Sequence, residues 1–120
     1  MSGNSAAPAR WAGSARVPGP KGYIDVGIFL AVVEVSGERL KMRSRPTLIR
    51  KMFRLDNLDV GPQDGVTIYP AHKLGQQGIE IRVSDGPPSY FWLRNRQQLM
   101  DALSAAGFSV SDVEQKYGSR

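Results

Sequence analysis

The chain has 120 residues, 41% of them apolar and 22% charged, a balance that supports one packed domain and argues against disorder throughout. It contains no cysteine, which excludes a disulfide framework, a thiolate metal site and a thiol nucleophile. The net charge of +5 is unevenly placed, with ten Lys/Arg against three Asp/Glu in residues 1–55 and six against eight in residues 56–120. Such asymmetry favours an acidic partner at one end of the molecule: an acidic protein, an anionic lipid surface or nucleic acid.

Residues 1–22 are rich in Ala, Gly, Ser and Pro and are expected to form a flexible arm. Trp11 gains by burial, so it is expected to dock on the domain or to join a short added strand over residues 9–17. No apolar signal-like segment follows the first residues, and the longest apolar run (residues 26–33) is far shorter than the roughly 20 residues of a membrane helix. A cytoplasmic location is expected, with contact at the membrane periphery as its extension.

Residues 23–35 carry apolar side chains at both parities, as in a strand covered on both faces. One cover is then a second copy or a larger complex. Ser36-Gly37-Glu38 supplies a turn. In the next stretch Arg39, Lys41, Arg43 and Arg45 share one parity and Leu40 and Met42 the other, which predicts a strand with one cationic face. A turn at Pro46 and a second strand over residues 47–55 add Arg50, Lys51 and Arg54. These seven cations are the candidate anion- or partner-binding surface. The alternative is a solvated face that discourages edge pairing.

Residues 56–64 read as a polar loop around Gly61-Pro62, residues 65–69 as a short strand, and residues 70–77 as a connector holding the single histidine, His72. Residues 78–83 alternate, with Ile79, Ile81 and Val83 inward and Glu80 and Arg82 outward. After a turn at residues 84–88, residues 89–94 form a sixth strand that places Tyr90 and Trp92 on one parity. These two, with Trp11, are candidate stacking or interface residues: platforms for nucleic-acid bases, or aromatics packed beneath a helix or tail. An amphipathic helix follows over residues 96–106, with Asn95 and Gln98 at capping spacing, Leu99, Ala102, Leu103 and Ala106 inward, and Gly107 and Phe108 closing it. Ser111 and Glu114 predict a last helical turn within a tail over residues 111–120.

No nucleophile elbow or phosphate-binding glycine loop is present, so an enzyme is not expected and no cofactor is called for. His72 has no companion ligand, and Asp56, Asp59 and Asp64 miss the spacing of a calcium loop, so no metal site is expected. The strand-turn-strand VVEVSGERLKMRSR, the strand MFRLDNLDV, a glycine-bounded strand pair and a capped helix ending in glycine resemble small bacterial pleckstrin-homology-like (PH-like) domains over residues 23–108. The resemblance implies a mainly β (α+β) fold: a single bent antiparallel sheet or partly open barrel of six to seven strands, capped by the C-terminal helix. In phosphoinositide-binding members a basic residue late in the first strand joins a basic-x-Arg pair in the second. Lys41-Met42-Arg43 matches that pair, whereas the first half is missing: Glu34 and Glu38 flank a short Ser36-Gly37 turn where a longer basic loop would be expected. The resemblance thus implies a non-catalytic interaction or assembly module.

Overall fold

Period-two alternation becomes nine strands of one sheet in the computed structural model, which describes residues 9–19, 22–44, 58–84 and 86–117 and, for residues 19, 22, 24–30, 43 and 44, the backbone alone. The strands are β1 (Ala9–Gly19), β2 (Gly22–Ser36), β3 (Arg39–Ser44), β4 (Leu58–Val60), β5 (Val66–Lys73), β6 (Gln76–Val83), β7 (Ser89–Trp92), β8 (Ser109–Val110) and β9 (Gln115–Lys116). Helix α1 (Arg96–Ala105) lies between β7 and β8. The sheet runs β4-β3-β2-β1-β7-β6-β5-β8 and does not close, with β9 pairing β5 further along. All pairings are antiparallel except those of β8 and β9, which run parallel to β5.

Within the segment expected as an arm, residues 9–19 form β1, the strand that joins the two halves of the sheet. It pairs with β2 from Ala9 to Gly19, with a register shift between Gly13 and Ala15, and meets β7 through Ser14, Ala15 and Arg16. The added-strand alternative was therefore the one taken. A chain rich in small residues suits this crossing, because a Cβ at Gly13 would collide with the carbonyl oxygen of Trp92. Trp11 packs half-buried against the core.

One face of each strand feeds a single core. Val33, Leu40 and Met42 from the first half meet Ile68, Ile79, Ile81 and Phe91 from the second, and Leu99 and Leu103 of α1 close it, all buried. The apolar stripe of α1 matches expectation, but its cap does not: Asn95 makes no side-chain capping bond. The C-terminal end carries the local signal instead. Gly107, at φ +96°, donates its N–H to Ser104 O, and Phe108 donates to Leu103 O, both at 3.0 Å, the double bond of a Schellman motif. The buried Phe108 ring supplies its hydrophobic contact.

Other expectations shift. Leu58–Val60 is a strand rather than loop, because Leu58 and Val60 pair with Met42 and Leu40 on the core face. Residues 70–73 continue β5 rather than connecting, so His72 lies in a strand. Proline is tolerated there because Pro70 falls between the residues paired to β8 (Thr67, Ile68) and those paired to β9 (Ala71, His72). The last helical turn is absent: Val113 N–H donates to Ser111 Oγ at 3.0 Å and the chain extends into β9. A serine bonding two residues ahead favours a turn over a helix start. The turn at Pro46 and the second basic strand lie outside the described residues.

Candidate binding surfaces

On the outer face of the first half, cross-strand register fixes which charges meet. Arg10, Glu34, Lys41 and Asp59 form one row across β1, β2, β3 and β4, alternating in sign. Arg10 Nε lies 3.1 Å from Glu34 Oε1. Arg39 Nη2 lies 2.8 Å from Asp59 Oδ1 and also donates to the Asp59 carbonyl at 3.2 Å. Cross-strand opposite charges stabilise pairing and fix register. Arg39 and Lys41 thus face carboxylates across the strands, although Lys41 itself is exposed. Arg43 belongs to β3 by its backbone, its side chain lying outside the described residues together with all of Arg45, Arg50, Lys51 and Arg54.

The outer face of the second half is aromatic. Tyr90 and Trp92 are brought together, stacked at 5.8 Å between centroids with planes 5° apart. Tyr117, arriving from the C-terminal segment, meets Tyr90 edge-on at 4.5 Å and Trp92 at 5.7 Å. Cations cover the rings further: Arg16 lies 5.1 Å from the Tyr23 ring and 5.6 Å from the Tyr117 ring, and Lys73 lies 4.6 Å from Trp92. Trp92 is therefore 3% exposed, which leaves it no open face for a base. Its indole N–H is buried without an acceptor among the described residues. Glu80, expected outward and solvated, is 4% exposed, because β6 lies between the aromatic strands β5 and β7; Arg82 pairs with it and Tyr69 and Tyr90 stand opposite it on those strands. Sequence periodicity located Tyr90 and Trp92 but not Tyr23, Tyr117, Arg16 or Lys73, which reach this face from other strands.

Burial pushes the Tyr90 phenol from 10.0 up to about 12, and the Glu80 carboxylate adds to the effect. Burial and then Tyr117 also raise Tyr23, with Arg16 opposing. A folded value above the unfolded one means that the fold favours the neutral phenol. The stabilisation is complete below the unfolded value near 10 and is lost as pH climbs towards 12. In an absorbance titration of the four tyrosines, one is expected to ionise near pH 12 while urea midpoints fall above pH 10. A single titration near 10 would contradict the packing of Tyr90.

The C-terminal segment is tied to β5 at three points. Ser111 N–H donates to Ile68 O and Tyr117 N–H to His72 O, both at 2.8 Å, and Glu114 Oε2 lies 2.9 Å from His72 Nδ1 and 3.0 Å from Arg96 Nη1. Burial raises the Glu114 carboxyl, but the hydrogen bonds from His72 and Arg96 outweigh it and hold the group below its ordinary value. That contribution is present above the ordinary carboxylate range and fades as pH falls through it. His72, expected to be a surface-loop residue, thus anchors this segment.

The open seam of the sheet holds a cleft of about 850 Å³. It lies where β1 has left β7: Arg10, Trp11, Ala12, Gly13 and Ser14 form one wall, and Gly75–Gln77 with Trp92–Asn95 form the other. Arg10 and Arg94 line it, with the amides of Gln76, Gln77 and Asn95, and among the described residues no carboxylate does. A second hollow of about 550 Å³, between α1 and the C-terminal segment, instead carries Asp101, Asp112 and Glu114. The β5–β6 turn, whose Gly75 lines the first cleft, presents Leu74, which is 100% exposed. A side chain so placed adds nothing to the fold, so Leu74→Ser is expected to leave the unfolding free energy within about 0.5 kcal/mol of wild type in urea titration. Among the described residues no helix is long and apolar enough to cross a membrane, and no three His, Asp or Glu side chains gather as metal ligands.

Set against known protein families, curated proteins and solved structures, the chain matches none. Geometry and charge alone therefore carry the functional reading.

Proposed function

We propose that this chain is a non-catalytic binding module of the PH-like kind whose partner is an acidic segment of another protein. The observation that carries the reading is the cleft at the open seam, large enough for a peptide, walled by a half-paired strand and lined by two arginines with no carboxylate among the described residues. Clefts of roughly 300–1,000 Å³ are the usual size for ligand sites. The PH-like part is supported by strand order: β1 to β4 and β5 to β7 are two meanders joined through β1, and the helix follows the seventh strand directly. In this reading β1 serves as the seventh strand beside the six expected from the sequence.

The cationic residues of β3 contribute long-range attraction, although Arg39 is already paired with Asp59. Titration with poly-L-glutamate, phosphatidylserine vesicles and a thymidine single strand tests the assignment. Salt-sensitive binding to poly-L-glutamate is expected, weakened more by Arg94→Glu than by Lys41→Glu, a change of equal charge on the outer face. Binding to vesicles or to the single strand without binding to poly-L-glutamate would overturn it.

A further inference from the structure

Strand β1 is paired on one edge along its whole length and on the other only through Ser14, Ala15 and Arg16. From Ala9 to Ala12 its second edge meets no strand among the described residues, and at Gly13 it already abuts the Trp92 carbonyl of β7. In an antiparallel ladder every second residue turns its N–H and C=O towards that edge, so this stretch presents a row of backbone donors and acceptors to the cleft. The opposite wall is not a strand edge in register with it: β7 ends at Trp92, and Leu93 turns back to donate to Gln77 O at 3.1 Å.

We infer that the cleft accepts an extended acidic segment of a partner protein as an added strand along Ala9–Ala12, with its carboxylates reaching Arg94 and its apolar side chains meeting Trp11 and Leu74. This deepens the binding-module reading and rests on it. Strand addition takes affinity from main-chain hydrogen bonds and selectivity from alternate side chains. The four residues of the free edge offer about 14 Å of ladder at roughly 3.4 Å per residue. Both formal charges on the walls are positive, and Arg10 is already engaged with Glu34, so Arg94, exposed on the far wall, is the cation that an incoming carboxylate meets. A guanidinium holds a carboxylate through two parallel hydrogen bonds, which orients the added strand as well as attracting it. The same charges disfavour a second copy as occupant. Antiparallel pairing of two β1 edges about a two-fold axis would bring the Arg10 and Arg94 walls of both copies together.

Selection of a displayed library of random nonapeptides against the full chain, followed by amide exchange on the enriched complexes, tests the inference. The expected peptides are acidic with alternating apolar residues, and they slow exchange within residues 9–12. Methylating the alternate peptide amides that face β1 abolishes binding, while methylating the other set does not. Arg94→Glu weakens binding at least about tenfold and Leu74→Ser weakens it measurably, each in a protein whose circular dichroism matches wild type. Enriched peptides that protect other residues, or that tolerate both methylation patterns, overturn the site while leaving the module reading intact. No enrichment of any peptide overturns both, and a dimer in sedimentation that protects residues 9–12 gives the edge to a second copy and overturns the acidic segment.

Discussion

Phe91→Ala is expected to lower the free energy of unfolding by about 3–5 kcal/mol. Phe91 is fully buried on the core face of β7, opposite Ile79 of β6 on one side and Ala15 of β1 on the other. Its ring thus sits at the strand junction where the two meanders share a core. Truncation removes the transfer free energy of the ring and leaves a cavity that the flanking backbones, hydrogen-bonded on both sides, cannot collapse to fill. Against a total stability of about 5–15 kcal/mol for a small domain, the loss takes the variant towards partial unfolding at ambient temperature. Urea titration followed by circular dichroism checks it: the midpoint falls with little change in slope. A loss below about 1 kcal/mol would contradict the joint core.

Gly78→Ala is expected to cost about 1–3 kcal/mol or more, although it adds a single methyl. A Cβ at Gly78 would overlap the carbonyl oxygen of Phe91 and fall 2.7 Å from Cε3 of Trp92. The indole covers the gap in β6 left by the missing side chain, the arrangement by which an aromatic on a neighbouring strand offsets the cost of a strand glycine. The backbone oxygen cannot yield without breaking the β6–β7 ladder, so the indole and the strand shift together. Near-ultraviolet circular dichroism and tryptophan fluorescence are expected to change with the midpoint. Gly86→Ala is the control, since its Cβ would meet nothing within 4 Å, and it should be close to neutral. Equal behaviour of the two variants would contradict the seat of Trp92 on Gly78.

The parts legible in the sequence were those governed by local periodicity. Ile79 and Ile81 alternate inward, Leu99 and Leu103 recur at helical spacing, and Gly107 closes the helix; each is fixed by neighbours within a few residues. Four features escaped because distant strands decide them. β1 looks like an arm, since Ala, Gly and Ser carry little strand preference of their own, and only the close approach of β7 makes small residues an advantage. Glu80 alternates outward as expected, yet Tyr69, Tyr90 and Arg82 bury it. The cationic face of β3 is plain in the spacing of Arg39 and Lys41, but register alone shows that Glu34 and Asp59 stand opposite. The seam beside β1 has no local signature at all, because it arises where one strand parts from another.

The free edge of β1 is the claim on which the binding account turns, and residue-resolved amide exchange across Ala9–Arg16 in the unliganded chain tests it directly. The account predicts alternation from Ala9 to Ala12, with amides turned towards β2 slow and those turned towards the cleft fast, followed by protection at the crossing with β7. Uniformly fast exchange would return residues 9–19 to an arm, and uniform protection would mean that the edge is already covered; either result would contradict a strand waiting for its partner.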